Sequence, residues 1–134
     1  MTTLLQVEGI GEVYTQKLNA AGVRSTAALL RQGATPRGRK ALAEKSGVSE
    51  LLILRWVNHV DLFRIKGVAA QYAELLEAAG VDTVVELSKR KPANLHTALI
   101  QTNAKFKRVR KLPSADQVAR WVKQAKSLPR VIKY

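Results

Sequence analysis

The sequence predicts an all-α protein in which one four-helix unit occurs twice. Ala and Leu, two strong helix formers, make up 35 of the 134 residues. No stretch shows the sustained alternation of apolar and polar residues that is typical of a β-strand. The third observation is an internal repeat, because residues 4–30 match residues 62–88 at nine of 27 positions.

Helix boundaries follow from start and stop signals along the chain. Thr35 reads as an N-cap followed by proline at the first helical position, whereas Thr83 and Ser114 each begin a capping box. Glycine ends helices because it adopts left-handed turns at little cost, and the expected stops are Gly22, Gly33, Gly47 and Gly80. The predicted helices span 11–21, 25–32, 36–46, 50–60, 69–79, 83–90, 93–104 and 115–127, with short helical turns at 3–7 and 61–65.

The repeat continues beyond residues 4–30 and 62–88, but the offset in residue number between the two copies changes. It is 58 residues at the start, 57 residues at Ala41-Leu42 and Ala98-Leu99, and 65 residues at Arg55-Trp56-Val57 and Arg120-Trp121-Val122. The jump places an insertion of about eight residues in the second copy, within Asn103–Pro113. This segment, the basic insertion, carries five cations and no acid.

Two small units and a tail are the expected organisation. We predict a first unit over 1–60, a second over 61–128, and a loose tail over 129–134. Each unit is near the size at which a single hydrophobic core is only marginally stable. We therefore expect the two units to pack on each other as one compact body.

The charge of the chain indicates a polyanionic partner. There are 23 Lys and Arg against 10 Asp and Glu, a formal charge of +13, and residues 103–134 alone carry +9. The absence of cysteine excludes disulfides, thiol catalysis and cysteine-bound zinc. With no secretory signal and no apolar run of about 18 residues, we expect a cytoplasmic protein without a membrane partner, nucleoid-associated if it binds DNA.

A glycine-rich hairpin signature occurs near the start of each unit. The run Val7-Glu8-Gly9-Ile10-Gly11, followed by a predicted helix, resembles the helix-hairpin-helix motif, and Ser46–Ser49 forms a second hairpin candidate. The arrangement is similar to the paired helix-hairpin-helix (SAM-like) domains of DNA repair proteins, of the recombinase N-terminal domain and of the NusA C-terminal repeats. The likeness is greatest to small, uncharacterised bacterial and archaeal proteins with two such units.

The resemblance implies phosphate contacts at the hairpins. In that family the backbone amides of the hairpin contact DNA phosphate without reading bases. The corresponding candidates here are Gly9, Ile10 and Gly11 in the first copy and Lys66, Gly67 and Val68 in the second. The pattern departs from the family where Ala69 replaces the second glycine and where Glu8 and Glu12 flank the first hairpin. A hairpin that only joins two helices is the alternative.

The basic insertion and the helix after it hold the remaining candidates. They are Lys105, Phe106, Lys107, Arg108, Arg110, Lys111, Arg120 and Lys123. A solvated loop is the alternative for the charge run. Phe106 either stacks on a nucleic-acid base or anchors the loop to the core.

These observations predict sequence-independent binding of nucleic acid, DNA more than RNA, through backbone phosphates. The alternative is a protein adaptor that docks on an acidic or ribonucleoprotein partner. Trp56 and Trp121 lie on apolar helix stripes and are expected in the core. His59 and His96 lack partners at metal-ligand spacing, and no catalytic pair or nucleotide loop is evident. We therefore expect no enzyme activity, no metal, no cofactor and no small-molecule substrate.

Overall fold

The computed structural model describes residues 3–134 and is all-α throughout that range. A short 3-10 turn, Leu4–Gln6, precedes eight α-helices. The helices are α1 (Glu12–Ala20), α2 (Thr26–Gln32), α3 (Pro36–Ser46), α4 (Glu50–Leu62), α5 (Ala70–Ala78), α6 (Val84–Ser88), α7 (Pro92–Phe106) and α8 (Ala115–Ser127). The predicted fold class is therefore confirmed. None of these helices, within the described range, is long and apolar enough to cross a bilayer.

The capping signals at two helix starts have different outcomes. At α8 the box is closed, because Ser114 Oγ accepts from the Gln117 amide and Gln117 Oε1 accepts from the Ser114 amide. At α6 Thr83 Oγ1 accepts from the Glu86 amide, but the return bond is missing. The carboxylate of Glu86 instead pairs with Arg90 at 3.2 Å. The capping box predicted at Thr83 is therefore only half formed.

The chain divides into two compact units. The first runs up to Asp61 and also includes Val131–Tyr134, and the second is Leu62–Arg130. The boundary lies one residue from the predicted one, at the end of α4. Residues 1 and 2, which belong to the predicted first unit, lie outside the described residues. The packing of the two units as one body stays a prediction.

The internal repeat is visible in backbone geometry. Gly9 and Gly67 precede α1 and α5 with φ values of 90° and 94°. Gly22 and Gly80 follow the same helices, and both have φ 91°. A matching hydrogen bond closes each helix end at 2.8 Å, from Val23 N–H to Leu18 O and from Val81 N–H to Leu76 O. The two copies therefore fold alike over their first helix.

A tryptophan lies at the centre of each unit. Trp56 is 1% exposed and packs against Tyr14, with ring centroids 5.0 Å apart. Trp121 is 2% exposed and packs against Tyr72 at 5.3 Å. Both indoles are in the core, as predicted. His59 is also fully buried.

The C-terminal tail is not loose, and that prediction is wrong. Ile132 is buried, and the Lys133 amide donates to Ala34 O at 2.7 Å. Arg39 explains why the segment is held. Its buried guanidinium donates to Gly33 O and to Lys133 O, both at 2.9 Å, so the tail supplies an acceptor that a buried charge requires. Tyr134 OH also donates to Asn58 Oδ1.

Replacing Arg39 with methionine is expected to destabilise the first unit by about 2 kcal/mol. The change keeps an unbranched apolar stem but leaves two carbonyl groups without their charged donor. Urea denaturation followed by far-UV circular dichroism measures the effect. Arg37→Met is the matched control, because Arg37 is exposed on the same helix. Equal losses in the two variants would contradict a specific role for the Arg39 bonds.

Candidate nucleic-acid interface

The basic insertion is part helix and part ordered loop. Its first four residues extend α7, which has 15 residues where the equivalent α3 has 11. The helix thus ends at Phe106, two residues beyond the predicted end. Lys107 then takes the left-handed cap position with φ 52°, as Gly47 does after α3 with φ 74°. The two units therefore end this helix in the same way, at different lengths.

Side chains from the rest of the second unit fix the loop after α7. Asn103 donates to Val109 O at 3.0 Å and accepts from the Val109 amide at 2.9 Å. Tyr72 OH donates to Lys111 O at 3.0 Å, and Pro113 is buried. Because each end of the loop is bonded or buried, its cations are presented on a defined backbone.

Four cations of the basic insertion are exposed and unpaired. Among residues 3–134, no carboxylate forms an ion pair with any of Lys105, Lys107, Arg110 and Lys111. Arg108 differs, because its guanidinium lies 3.0 Å from the carboxylate of Glu74 on α5. The sequence placed Arg108 with the other four, but its charge is already partly neutralised within the protein.

Phe106 does not anchor the loop to the core. Its side chain is 46% exposed at the last residue of α7. Lys105 Nζ lies 5.3 Å from the ring centroid and the Arg108 guanidinium carbon 5.7 Å, both within cation–π range. An aromatic ring open to solvent beside two cations is a suitable surface for stacking a nucleic-acid base.

Helix α8 presents a second set of cations. Val118, Trp121, Val122 and Ala125 are buried, which confirms the predicted apolar stripe. Arg120, Lys123 and Lys126 are exposed on the same helix. Arg130 lies beyond the end of α8 and Lys133 belongs to the first unit. The excess charge of residues 103–134 is therefore shared between the units, although most of it is in the second.

Apart from the exposed side chain of Lys66, the two glycine hairpins offer only backbone groups. Ile10 and Val68 are 3% and 5% exposed, so both side chains fill the core. The Lys66 amide is already used, because it donates to Gln124 Oε1 at 3.0 Å. In the described chain, the amides of Gly11 and of Gly67 have no protein acceptor. The hairpin candidates are thus brought to the starts of α1 and α5.

A cleft of about 280 Å³ lies between the second hairpin and α8. Its lining is Lys66, Gly67, Gln117, Arg120, Trp121 and Gln124. Sequence reasoning missed the two glutamines and assigned Trp121 to the core alone. The spacing of Gln117, Arg120, Trp121 and Gln124 places them on one face of a helix, and the sequence shows this. It does not show that this face lies next to Gly67, because the two are distant along the chain.

The fold and its charged surface define an all-α protein of two related helical units with a basic second unit. The chain belongs to the family described as "Domain of unknown function (DUF4332)", whose sequence profile matches residues 8–128. No curated protein and no solved structure is detectably similar to it.

Proposed function

We propose that this protein binds nucleic acid, DNA in preference to RNA, through backbone phosphates and without sequence preference. The observation that carries the proposal is the basic insertion. It holds Lys105, Lys107, Arg110 and Lys111 exposed on a fixed backbone, and no carboxylate in the described part of the chain neutralises them. Like charges arranged in this way create a positive local potential that attracts a polyanion.

The chemistry of the cations supports binding without base readout. Three of the four are lysines, whose ammonium groups act as flexible point charges, and a contact to phosphate carries no sequence information. Phe106 adds a stacking surface that tolerates any base. The resemblance to DNA repair domains supports DNA as the first polymer, and a protein so engaged would associate with the nucleoid.

A steep salt dependence is the expected result for duplex DNA. If six cations meet phosphates (Lys105, Lys107, Arg110, Lys111, Arg120 and Lys123), log K against log salt has a slope of about −5, from about −0.9 per contact. Fluorescence anisotropy with labelled duplexes of two unrelated sequences, at several salt concentrations, measures it.

Titration with four kinds of nucleic acid tests whether the protein prefers DNA to RNA. Duplex DNA, single-stranded DNA, a four-way junction and duplex RNA of equal length are titrated at one salt concentration. Similar affinities for the two duplex sequences, with weaker binding of RNA, support the proposal. A slope near zero, or no binding of any probe, would contradict it and favour the adaptor alternative.

A further inference from the structure

We infer that the cleft beside Gly67 is a binding site for one phosphate group, which deepens the proposed function and rests on it for the source of that phosphate. Every polar side chain that lines the cleft can donate a hydrogen bond, and its two charged residues, Lys66 and Arg120, are both cationic. Asp116 lies one helical turn before Arg120, but the described residues show no ion pair between them. The cleft therefore favours an anion.

The indole of Trp121 is the feature that points to a ligand. The residue is 98% buried, and within residues 3–134 no group accepts a hydrogen bond from its indole N–H. A Cβ atom on Gly67 would lie 3.2 Å from the indole Nε1. Because Gly67 has no side chain, this donor reaches the cleft uncovered. The N–H is therefore open to the cleft and free of a protein acceptor, so a phosphate oxygen placed there can accept from it.

The two glutamines are oriented to donate as well. Gln124 Oε1 accepts from the Lys66 amide, and Gln117 Oε1 accepts from the Ser114 amide. With each side-chain oxygen occupied, the NH₂ end of each amide remains for the cleft. Phosphate is an acceptor with several oxygens, and it suits such a set of neutral and charged donors.

The first unit provides an internal comparison. Gly9 and Trp56 repeat the geometry, since a Cβ on Gly9 would lie 3.3 Å from the Trp56 Nε1. By the repeat offsets, however, Glu8 stands where the second unit has Lys66, and Leu52 where it has Gln117. A carboxylate and an apolar side chain replace two of the donors. We expect phosphate binding in the second unit alone.

The two tryptophans make this difference measurable in the intact chain. The protein has two indole N–H groups, which give two assignable peaks in a ¹H–¹⁵N correlation spectrum. Titration with inorganic phosphate, against chloride of matched ionic strength, is expected to shift the Trp121 peak saturably and to leave the Trp56 peak in place. Equal shifts of both peaks, or no shift beyond that in chloride, would overturn the site.

Substitution separates the cleft from the general basic surface. Arg120→Gln is expected to weaken phosphate binding roughly tenfold, the loss of one charge-assisted hydrogen bond. Lys123→Gln removes the same charge from the same helix but does not line the cleft, and it should change the affinity less than twofold. Equal losses in the two variants would contradict a built site.

Two oligonucleotides of one sequence, with a 5′-phosphate or a 5′-hydroxyl, identify the source of the phosphate. If only the phosphorylated strand shifts the Trp121 peak, the cleft binds the terminal phosphate of a strand. If both strands shift the peak equally, the cleft binds a phosphate of the backbone. If neither strand moves the peak while inorganic phosphate does, the nucleic-acid source is wrong. Fluorescence anisotropy measures separately whether the protein binds the strands at all. A failure of the phosphate site can therefore be distinguished from a failure of the proposed nucleic-acid binding.

Discussion

Replacing Lys105, Lys107, Arg110 and Lys111 together with glutamine should weaken binding to duplex DNA by about 10²- to 10³-fold near 0.1 M salt. Each phosphate contact contributes about 0.9 to the slope of log K against log salt. Losing four contacts should therefore also make that slope less steep by about 3 to 4. Arg108 is left in place, because it pairs with Glu74. Fluorescence anisotropy at several salt concentrations measures both effects.

A matched control separates position from net charge. Arg24, Arg31, Lys40 and Lys45 are exposed in the first unit, and replacing all four with glutamine removes the same charge. We expect this variant to lose less than about tenfold in affinity, because these four residues are outside the proposed interface and make none of its phosphate contacts. Equal losses in the two variants, or an unchanged affinity in the first, would show that the basic insertion is not the interface.

Gly38→Ala is expected to destabilise the first unit by about 3 kcal/mol, although alanine is the better helix former. Gly38 lies in the first turn of α3, where a Cβ would stand 2.1 Å from the carbonyl oxygen of Gln32. That oxygen belongs to the backbone at the end of α2, so it cannot move without displacing the helix. Urea denaturation of the variant and the parent protein measures the loss.

Gly11→Ala is the control for this substitution. Gly11 is the N-cap of α1 with an ordinary φ of −90°, and a Cβ there would meet no atom within 4 Å. We expect a loss of no more than about 1 kcal/mol, the usual difference between N-cap residues. If Gly38→Ala instead proved neutral or stabilising, the close approach of α2 and α3 would be wrong.

Local chemistry explains what the sequence could predict. Caps such as Ser114 and stops such as Gly22 act within one turn, so helix positions were accessible from neighbouring residues alone. The repeat supplied more, because Trp56 and Trp121 at equivalent positions on apolar helix stripes indicated that both lie in the core. Both side chains are buried, as predicted. The likeness to helix-hairpin-helix proteins stays a prediction.

What the sequence could not predict depends on residues that are distant along the chain. Arg108 meets Glu74 only because α5 packs near the end of α7, and Arg39 meets the tail from 94 residues away. No spacing rule reports such pairs. The Trp121 indole was read as core, correctly, but its uncovered N–H depends on the missing side chain of Gly67, which lies 54 positions earlier.

The return of the tail to the first unit affects how this chain can fold during synthesis. Domains generally fold as units while the ribosome is still adding residues, N-terminal first. Here the first unit also needs Val131–Tyr134, which emerge only after the whole of Leu62–Arg130. Until then the Arg39 guanidinium has no Lys133 carbonyl to bond. The unit that is translated first can therefore be completed only after the second unit, which is contiguous in sequence, has been translated in full.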